Sequence, residues 1–202
     1  MLFHCRAGCF RASLTALCLF GRVKFSFQLK SDERRRPLPH KIVIGRDATE
    51  TDAHVLLKLL GFLMFHRERL QIEPSLHNDS IPFTPDLVEL DYELRPVLWV
   101  ECGECSVAKL DKLAVKVPEA EIWVLKKSVG EADALLRAMA KAALRRDRYS
   151  VVALDSAVFA EVCATMHSRN EVFWVGADFA AGLMQFDFNG LWYELEFAVT
   201  RF

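Results

Sequence analysis

Two carboxylates, those of Asp86 and Glu101, lie in stretches where most of the neighbouring side chains are apolar. Residues 83–91 and 96–102 are rich in Val, Leu and aromatic residues, and four residues separate the two runs. This pattern predicts two antiparallel strands joined by a four-residue loop. If the loop is symmetric about its centre, facing residues have numbers that add up to 187. Asp86 then lies directly opposite Glu101.

Strand parity predicts that both carboxylates point to an apolar side. Side chains two positions apart share one face of a strand, so Asp86 shares a face with Val88. Glu101 shares a face with Trp99 by the same rule. Two like charges that face each other across a strand pair, with roughly 5 Å between their Cβ atoms, repel, and burial strengthens the repulsion.

A divalent cation between the two carboxylates would remove this repulsion. Mg²⁺, or Mn²⁺ in its place, prefers one or two carboxylates together with water and substrate phosphate. The alternative is a register one residue away, which turns one carboxylate to solvent and leaves no repulsion to relieve. The sequence alone leaves both registers open.

The composition is that of an ordinary globular protein. With 202 residues, 52% hydrophobic content and a net charge of −1, the chain is long enough for one well-packed domain. The balanced charge argues neither for nor against nucleic acid, because a basic groove is compatible with a near-zero total. Six cysteines without an obvious disulfide framework favour a reducing cytoplasm. No stretch approaches the roughly 20 apolar residues of a membrane span, so no membrane partner is expected.

Residues 1–23 are predicted to be a poorly defined extension that precedes a single domain at residues 24–202. The extension holds three arginines, no acid and a short apolar run at residues 14–20, and so faintly resembles a signal or transit peptide. An overlong start or a disordered lead-in explains the same composition.

A helix with an acidic start is predicted shortly before the two carboxylates. Thr49 is placed to cap it, with Asp52 three residues later as the capping-box partner. Residues 55–65 are apolar nearly all round, Lys58 being the exception, so the helix is expected to lie buried between layers. Glu50 at its start either compensates the helix dipole or belongs to a site.

The remaining predicted elements form an α/β chain of mixed α+β type. They are strands at residues 25–29, 41–44, 68–73, 120–125, 150–154 and 171–175, helices beginning at residue 106 and at residues 131–146 and 156–166, and a final hairpin of residues 183–188 and 191–199 with Asn189-Gly190 as a type I′ turn.

Basic residues recur at helical spacing on two of these helices. Lys109 and Lys112 lie on the helix that follows Glu101, and Arg137 and Lys141 lie on the next helix. A basic stripe is either a solvated face or a surface that contacts phosphates. The sequence does not decide between the two.

The CGEC motif at residues 102–105 suggests redox chemistry, because it follows a predicted strand and opens a helix. A thioredoxin-like fold also needs a later cis-proline loop, and Pro118 is the last proline in the chain. Zinc would need further ligands, and Cys5 with Cys9 is the other close cysteine pair. The simplest interpretation makes Cys102 a core residue and Cys105 part of a first helical turn.

Nucleotide-binding and hydrolase signatures are missing from the sequence. There is no G-x-S-x-G, P-loop or G-x-G-x-x-G motif. His54 and His66 fall on the predicted buried helix and are interpreted as packed residues.

The order of these features resembles the PD-(D/E)xK nuclease superfamily, whose restriction-endonuclease-like core is α-β-β-β-α-β, with a central mixed sheet flanked by helices. Here an extra C-terminal β-hairpin would follow the core. More specifically, residues 24–125 resemble the YaeQ family. The resemblance is carried by the ETD of residues 50–52, the ERL of residues 68–70 and the W-x-E-x-G of residues 99–103.

The resemblance implies a metal-dependent nuclease site. Asp86 and Glu101 would be catalytic carboxylates and metal ligands for Mg²⁺ or Mn²⁺. The backbone carbonyl of Cys102 would be a further ligand, and Glu50 a supporting catalytic acid.

The chain departs from the superfamily pattern at Gly103, where a lysine is expected two residues after the glutamate. The resemblance implies that a lysine of the following helix takes its place. Lys109 is the candidate nearer the acids along the chain, and Lys112 is the bolder alternative.

The expected activity is metal-assisted hydrolysis of nucleic-acid phosphodiesters, with DNA as the expected partner. Arg46, Arg137 and Lys141 would hold the nucleic-acid backbone. The missing lysine at Gly103 leaves open an inactive nuclease fold that serves in nucleic-acid binding or regulation. A thiol redox protein using residues 102–105 is a second alternative.

Overall fold

The computed structural model describes residues 23–32, 37–76 and 81–202, so nearly all of the predicted extension at residues 1–23 lies outside the described part. Within these ranges no helix has the length and apolar character that crossing a bilayer requires. The elements, in chain order, are β1 (Val23–Ser31), β2 (Lys41–Arg46), α1 (Asp52–Met64), β3 (Leu70–Ile72), β4 (Leu87–Leu90), β5 (Pro96–Cys102), α2 (Val107–Lys116), β6 (Glu121–Lys126), α3 (Val129–Lys141), β7 (Tyr149–Leu154), α4 (Ser156–Ala164), β8 (Arg169–Asp178), β9 (Leu183–Phe188) and β10 (Leu191–Arg201).

All ten strands of the described part join one mixed sheet in the order β2-β1-β8-β9-β10-β7-β6-β5-β4-β3. The pairs β1–β8, β5–β6 and β6–β7 are parallel, and the others are antiparallel. The strands near β1 alternate apolar and polar residues, because one sheet face is buried and the other solvated. β7 is buried along its whole length, as expected of a strand covered on both faces.

The sheet curls around α1 and is nearly closed. α1 contacts β2 and β8 on one side and β3, β4, β5 and β6 on the other. Its residues from Val55 to Met64 are all buried, which confirms the predicted buried helix. Gly61 permits the close approach, since a Cβ there would lie 2.9 Å from Cδ1 of Leu87. The N-cap is Thr51, whose hydroxyl accepts from the His54 N–H, so the predicted cap at Thr49 is two residues too early.

A second core lies on the other face of β4, β5, β6 and β7, beneath α2 and α3. Leu110, Leu113 and Ala114 of α2 are buried there, as the predicted helical periodicity requires. Ser106 and Ser128 cap α2 and α3, because their hydroxyl oxygens accept from the N–H groups of Lys109 and Glu131. The two helices end at Lys116 and Lys141, so the predicted helix over residues 131–146 is five residues too long at its end.

The C-terminal hairpin of β9 and β10 has the predicted type I′ turn, with φ of 55° at Asn189 and 83° at Gly190. The extra C-terminal hairpin was expected, but no position in the sheet was predicted for it. It lies between β8 and β7 and therefore connects the N-terminal strands to the remainder of the sheet. Nothing in the local sequence specifies this long-range pairing.

Several element boundaries also differ from prediction. The strand expected over residues 83–91 forms only at β4, with Leu87 as its first residue, and the strand expected over residues 171–175 is the ten-residue β8. The short strand expected over residues 68–73 is β3, at three residues. The element order α1, β3, β4, β5, α2, β6 agrees with the predicted order.

Leu60→Ala tests the buried position of α1. Leu60 has no solvent exposure, so truncation removes buried apolar surface and leaves a cavity, at an expected cost of about 2–5 kcal/mol in the free energy of unfolding. Urea denaturation measures this loss. The control Val115→Ala, at a position that is 55% exposed, is expected to change the free energy by less than about 0.5 kcal/mol. Similar losses in both variants would contradict an enclosed α1.

Candidate functional site

The strand register in the structure is the predicted one. Leu87 pairs with Val100 and Val88 with Trp99, before the register shifts near the hairpin loop. Asp86 immediately precedes β4, and continuation of this register puts it opposite Glu101. The two residues therefore meet at one end of the sheet.

Glu101 is almost completely buried, at 3% exposure, and its carboxylate is held from two directions. The indole Nε1 of Trp99 and the ammonium Nζ of Lys109 each donate to it at 2.7 Å. Lys109 also donates to the carbonyl of Thr84 at 3.4 Å. Burial raises the pKa of Glu101, and although the Lys109 charge lowers it, repulsion from Asp86 adds to the rise.

Asp86 is held by other residues than those that hold Glu101. Its Oδ2 accepts from the backbone N–H of Cys102 at 2.7 Å, and its Oδ1 lies 3.2 Å from Nε2 of His54. The same His54 nitrogen lies 3.4 Å from Oε1 of Glu50. One ligand atom from each of Glu50, His54 and Asp86 therefore fits within 4.8 Å of the others.

The prediction paired Asp86 with Glu101 around one ion. The structure also brings ligand atoms of Glu50 and His54, at the α1 start, within 4.8 Å of a ligand atom of Asp86. Glu101 is held on the α2 side by Lys109. Cys102 donates its backbone N–H to Asp86. A role for its backbone carbonyl as a ligand stays a prediction.

A buried lysine lies beneath this group. Lys58 has no solvent exposure, and its Nζ donates to Glu50 at 2.7 Å and to Glu73. Burial of Glu50 is the largest single effect and opposes its ionisation, but the hydrogen bonds from Lys58 and from the Asp47 N–H together with the Lys58 charge outweigh it, and the pKa of Glu50 is lowered. Burial likewise disfavours the Lys58 ammonium, yet its two carboxylate partners raise its pKa. Both groups are therefore charged at neutral pH.

We call Glu50, Glu73, Asp86 and Glu101 the acid cluster. Its four carboxylates face two ammonium groups, those of Lys58 and Lys109. Four carboxylates against two ammonium groups leave two negative charges in excess in a partly buried space. Such an excess favours uptake of a divalent cation or of protons.

Sequence interpretation did not assign three residues of this neighbourhood to a site, namely His54, Lys58 and Glu73. His54 was expected to be a packed residue, but it lies between two carboxylates. The sequence did contain a pattern that indicates a role for His54. Glu50, His54 and Lys58 follow one another at four-residue spacing and so share a helix face. Glu73 carried no such signal, since it reaches the cluster through the β3–β4 pairing, where its N–H donates to the carbonyl of Asp86 at 2.9 Å.

Gly103 explains why no lysine stands two residues after Glu101. Its φ is +77°, a left-handed conformation that side chains disfavour, and a Cβ there would lie 3.2 Å from Nδ1 of His54. The position is therefore closed to a lysine as long as His54 keeps its place. The ammonium beside Glu101 comes instead from Lys109 on α2.

The other predicted basic residues lie away from the carboxylates or have separate partners. Lys112 is exposed on α2, and Arg137 and Lys141 are exposed on α3. Arg46 forms an ion pair with Asp52 and lies 5.9 Å from the ring centre of Phe25. Of the two lysines considered for the site, Lys109 is the one in contact with an acid of the cluster.

The thiols of the CGEC motif are poor candidates for thiolate chemistry. Burial raises the pKa of Cys102 well above its usual value and that of Cys105 to about 12. Nearby Asp86 and Glu101 raise both further. Reactive cysteines have the opposite setting, with a lowered pKa and basic neighbours. His66, the other histidine expected to pack, follows α1 and lies 3.2 Å from the carbonyl oxygen of Pro37.

Comparison with known proteins identifies related chains. A family model described as YaeQ protein matches residues 21–175. The crystal structure of YaeQ from Xanthomonas axonopodis pv. citri aligns with 21% identity and a TM-score of 0.72, over 90% of this chain and 99% of that one. YaeQ from Pseudomonas syringae aligns with 15% identity and a TM-score of 0.69, over 90% and 97%. At these identities the two structures establish a shared fold. No curated protein matches the chain.

Gly103→Ala tests the contact with His54. Both Gly103 and Gly190 have positive φ, but a Cβ at Gly190 meets nothing within 4 Å. We expect Gly190→Ala to cost about 1 kcal/mol of unfolding free energy from backbone strain alone. Gly103→Ala should cost about 2–3 kcal/mol, because the new methyl group also displaces His54. Equal losses in urea denaturation would show that the contact is unimportant.

Glu101→Gln tests the burial of its carboxyl group through pH dependence. The raised pKa means that folded Glu101 holds its proton more tightly than the unfolded chain does. Wild-type stability therefore falls as the pH rises from the unfolded value of 4.5 through the folded value. Glutamine has no proton to lose, so the variant should gain stability relative to wild type over that window, with no change below it. A constant or reversed difference in urea denaturation at stepped pH would contradict the assignment.

Proposed function

The chain belongs to the YaeQ family, and we propose that it is a divalent-metal-dependent phosphodiesterase that acts on nucleic acid. One observation carries the proposal. At one end of the sheet, a possible cation site formed by Glu50, His54 and Asp86 lies beside a buried carboxylate, Glu101, that is paired with Lys109.

The order of elements supports this proposal. The run α1, β3, β4, β5, α2, β6 has the α-β-β-β-α-β sequence that typifies the PD-(D/E)xK superfamily. Its acidic positions correspond to Glu50 at the α1 start, Asp86 before β4 and Glu101 in β5. We propose membership of that superfamily on this basis.

The donor atoms fit a divalent cation of intermediate hardness. Carboxylate oxygens of Glu50 and Asp86 suit Mg²⁺ and Mn²⁺, and the imidazole of His54 makes Mn²⁺ the better match. The excess negative charge of the acid cluster also favours a cation over an anion at this point. When bound, such a cation neutralises phosphate charge and lowers the pKa of a coordinated water.

Glu101 and Lys109 have the properties that the proton transfer and the charge stabilisation require. The raised pKa of Glu101 makes its carboxylate a better proton acceptor than a solvated glutamate, which suits a general base for the attacking water. Nζ of Lys109 lies 2.7 Å from the Glu101 carboxylate and 3.4 Å from the Thr84 carbonyl, so its positive charge is held beside the proposed site. That charge would stabilise the phosphorane-like transition state.

A cation-independent nucleic-acid-binding role has less support. A cavity of about 360 Å³ beside Glu50 and His54 is also lined by Glu104 and Glu131. Its one lysine, Lys127, pairs with Glu131 at 3.2 Å. An acidic lining repels a polyanion unless cations intervene, so binding is expected to need the metal.

Cleavage assays test the proposed activity. Purified protein is incubated with labelled single- and double-stranded DNA and Mg²⁺ or Mn²⁺, and products are resolved on denaturing gels. Wild type should cleave at least one substrate, and Asp86→Asn should abolish cleavage. Lys109→Met should lower kcat by about 10²–10³-fold because transition-state charge stabilisation is lost. Lys112→Met and the control Lys116→Met, both at exposed positions of the same helix, should retain wild-type rates.

Absence of cleavage by wild type with either metal would overturn the hydrolytic proposal. Metal-dependent retention of DNA without cleavage, in a gel-shift measurement with the same substrates, would then favour the binding role. A loss of activity in Lys112→Met but not in Lys109→Met would reverse the assignment of the lysine.

A further inference from the structure

Lys58 is a charged side chain in the middle of an otherwise apolar helix. It has no solvent exposure, and its chain neighbours Leu57 and Leu59 are buried apolar residues. An ammonium in such a place is stabilised only by close, well-aligned anionic partners. Two carboxylates, Glu50 and Glu73, provide them.

The bond from Lys58 to Glu50 involves an oxygen that the proposed cation site uses. Nζ of Lys58 donates to Oε1 of Glu50 at 2.7 Å, and that same oxygen lies 3.4 Å from Nε2 of His54. The lysine therefore fixes the distance between a carboxylate ligand and an imidazole ligand. Glu50 precedes the helix cap Thr51, and the nearby Asp47 N–H bonds its other oxygen, Oε2, at 2.9 Å, so Lys58 is the donor that holds Oε1.

The bond from Lys58 to Glu73 links the lysine to the segment that carries Asp86, the third residue of the proposed cation site. The backbone N–H of Glu73 donates to the carbonyl of Asp86 at 2.9 Å, where the β3–β4 pairing continues beyond the ends of both strands. Lys58 thus connects the chain before α1 with the chain that carries Asp86. These are the two segments that must keep a fixed separation for one cation to be bound.

Folding stability alone does not require this ion network. A buried ion pair is often no more stabilising than apolar residues of similar volume, because both charges lose their hydration. A methionine at position 58 with a neutral residue at position 73 would fill comparable space. What apolar packing does not provide is a directed bond to the Glu50 oxygen.

We infer that Lys58 is a positioning residue, which holds Glu50 and the Asp86 segment at the spacing that a divalent cation needs. The inference rests on the proposed function, and it adds a residue of the helix interior to the site. Lys58 does not contact the cation or the substrate in this role. Its effect is exerted through Glu50 and Glu73.

Mn²⁺ titration calorimetry and urea denaturation together test this role. The proteins compared are wild type, Lys58→Met, Glu73→Gln and the double variant Lys58→Met/Glu73→Gln. Lys58→Met should unfold at lower urea concentration, since two acids lose their counter-ion. It should also bind Mn²⁺ at least about tenfold more weakly, since the loss of the bond that positions Glu50 outweighs the attraction gained when a positive charge is removed. Glu73→Gln keeps the bond from Lys58 to Glu50 and should bind Mn²⁺ within about threefold of wild type.

The double variant separates positioning from stability. It keeps the net charge of the wild-type cluster, so its urea midpoint should recover towards wild type. Its Mn²⁺ affinity should stay at least about tenfold low, because Oε1 of Glu50 has lost the bond from Lys58, and the Asp47 N–H holds only the other oxygen, Oε2. Its kcat for DNA cleavage at saturating Mn²⁺ should also stay low, with KM for DNA unchanged.

Wild-type Mn²⁺ affinity in the double variant would overturn the positioning role and leave the proposed function intact. Failure of the double variant to fold would also overturn it, because the lysine would then be a requirement of the fold. Failure of wild type to bind Mn²⁺ at all would remove the proposed function and this inference together.

Discussion

The site depends on the charge balance of a helix enclosed by a sheet. α1 is buried along its length because a nearly closed ten-stranded sheet surrounds it, yet it carries Lys58 and His54 on the side near its start. Any charge on an enclosed helix must find a partner from another element. Here Glu50, Glu73 and Asp86 supply those partners, and they come from three separate segments of the chain. The need to compensate buried charge thus assembles the acid cluster.

The enclosure of α1 also explains why the lysine beside Glu101, Lys109, lies on α2 and not two residues after Glu101. α1 brings His54 so close to Gly103 that a Cβ at this position, two residues after Glu101, would lie only 3.2 Å from Nδ1 of His54, and the positive φ disfavours a side chain as well. The next element, α2, begins at the same end of the sheet, because β5 ends there and the chain turns directly into the helix. Lys109 lies in the first turn of α2 and its side chain reaches Glu101. The glycine that follows β5 and the lysine on α2 are therefore two parts of one arrangement.

Sequence reasoning succeeded where the determinants are local. The register of β4 and β5, the Asn189-Gly190 turn and the burial of α1 follow from alternation, turn chemistry and an apolar run. It failed where distant segments meet. The partners of Asp86 depend on how α1 docks inside the sheet, and the position of β9 and β10 between β8 and β7 depends on the whole topology. The four-residue spacing on α1 was a usable local signal for His54, but it acquires meaning only once the opposing carboxylates are known.

The most direct test of this account is an anomalous diffraction measurement on crystals of the wild-type protein grown with excess Mn²⁺. The account predicts one manganese peak between the carboxylates of Glu50 and Asp86 and the imidazole of His54, the group whose ligand atoms lie within 4.8 Å of one another. A map without a peak at that position, or with manganese bound only elsewhere, would contradict it.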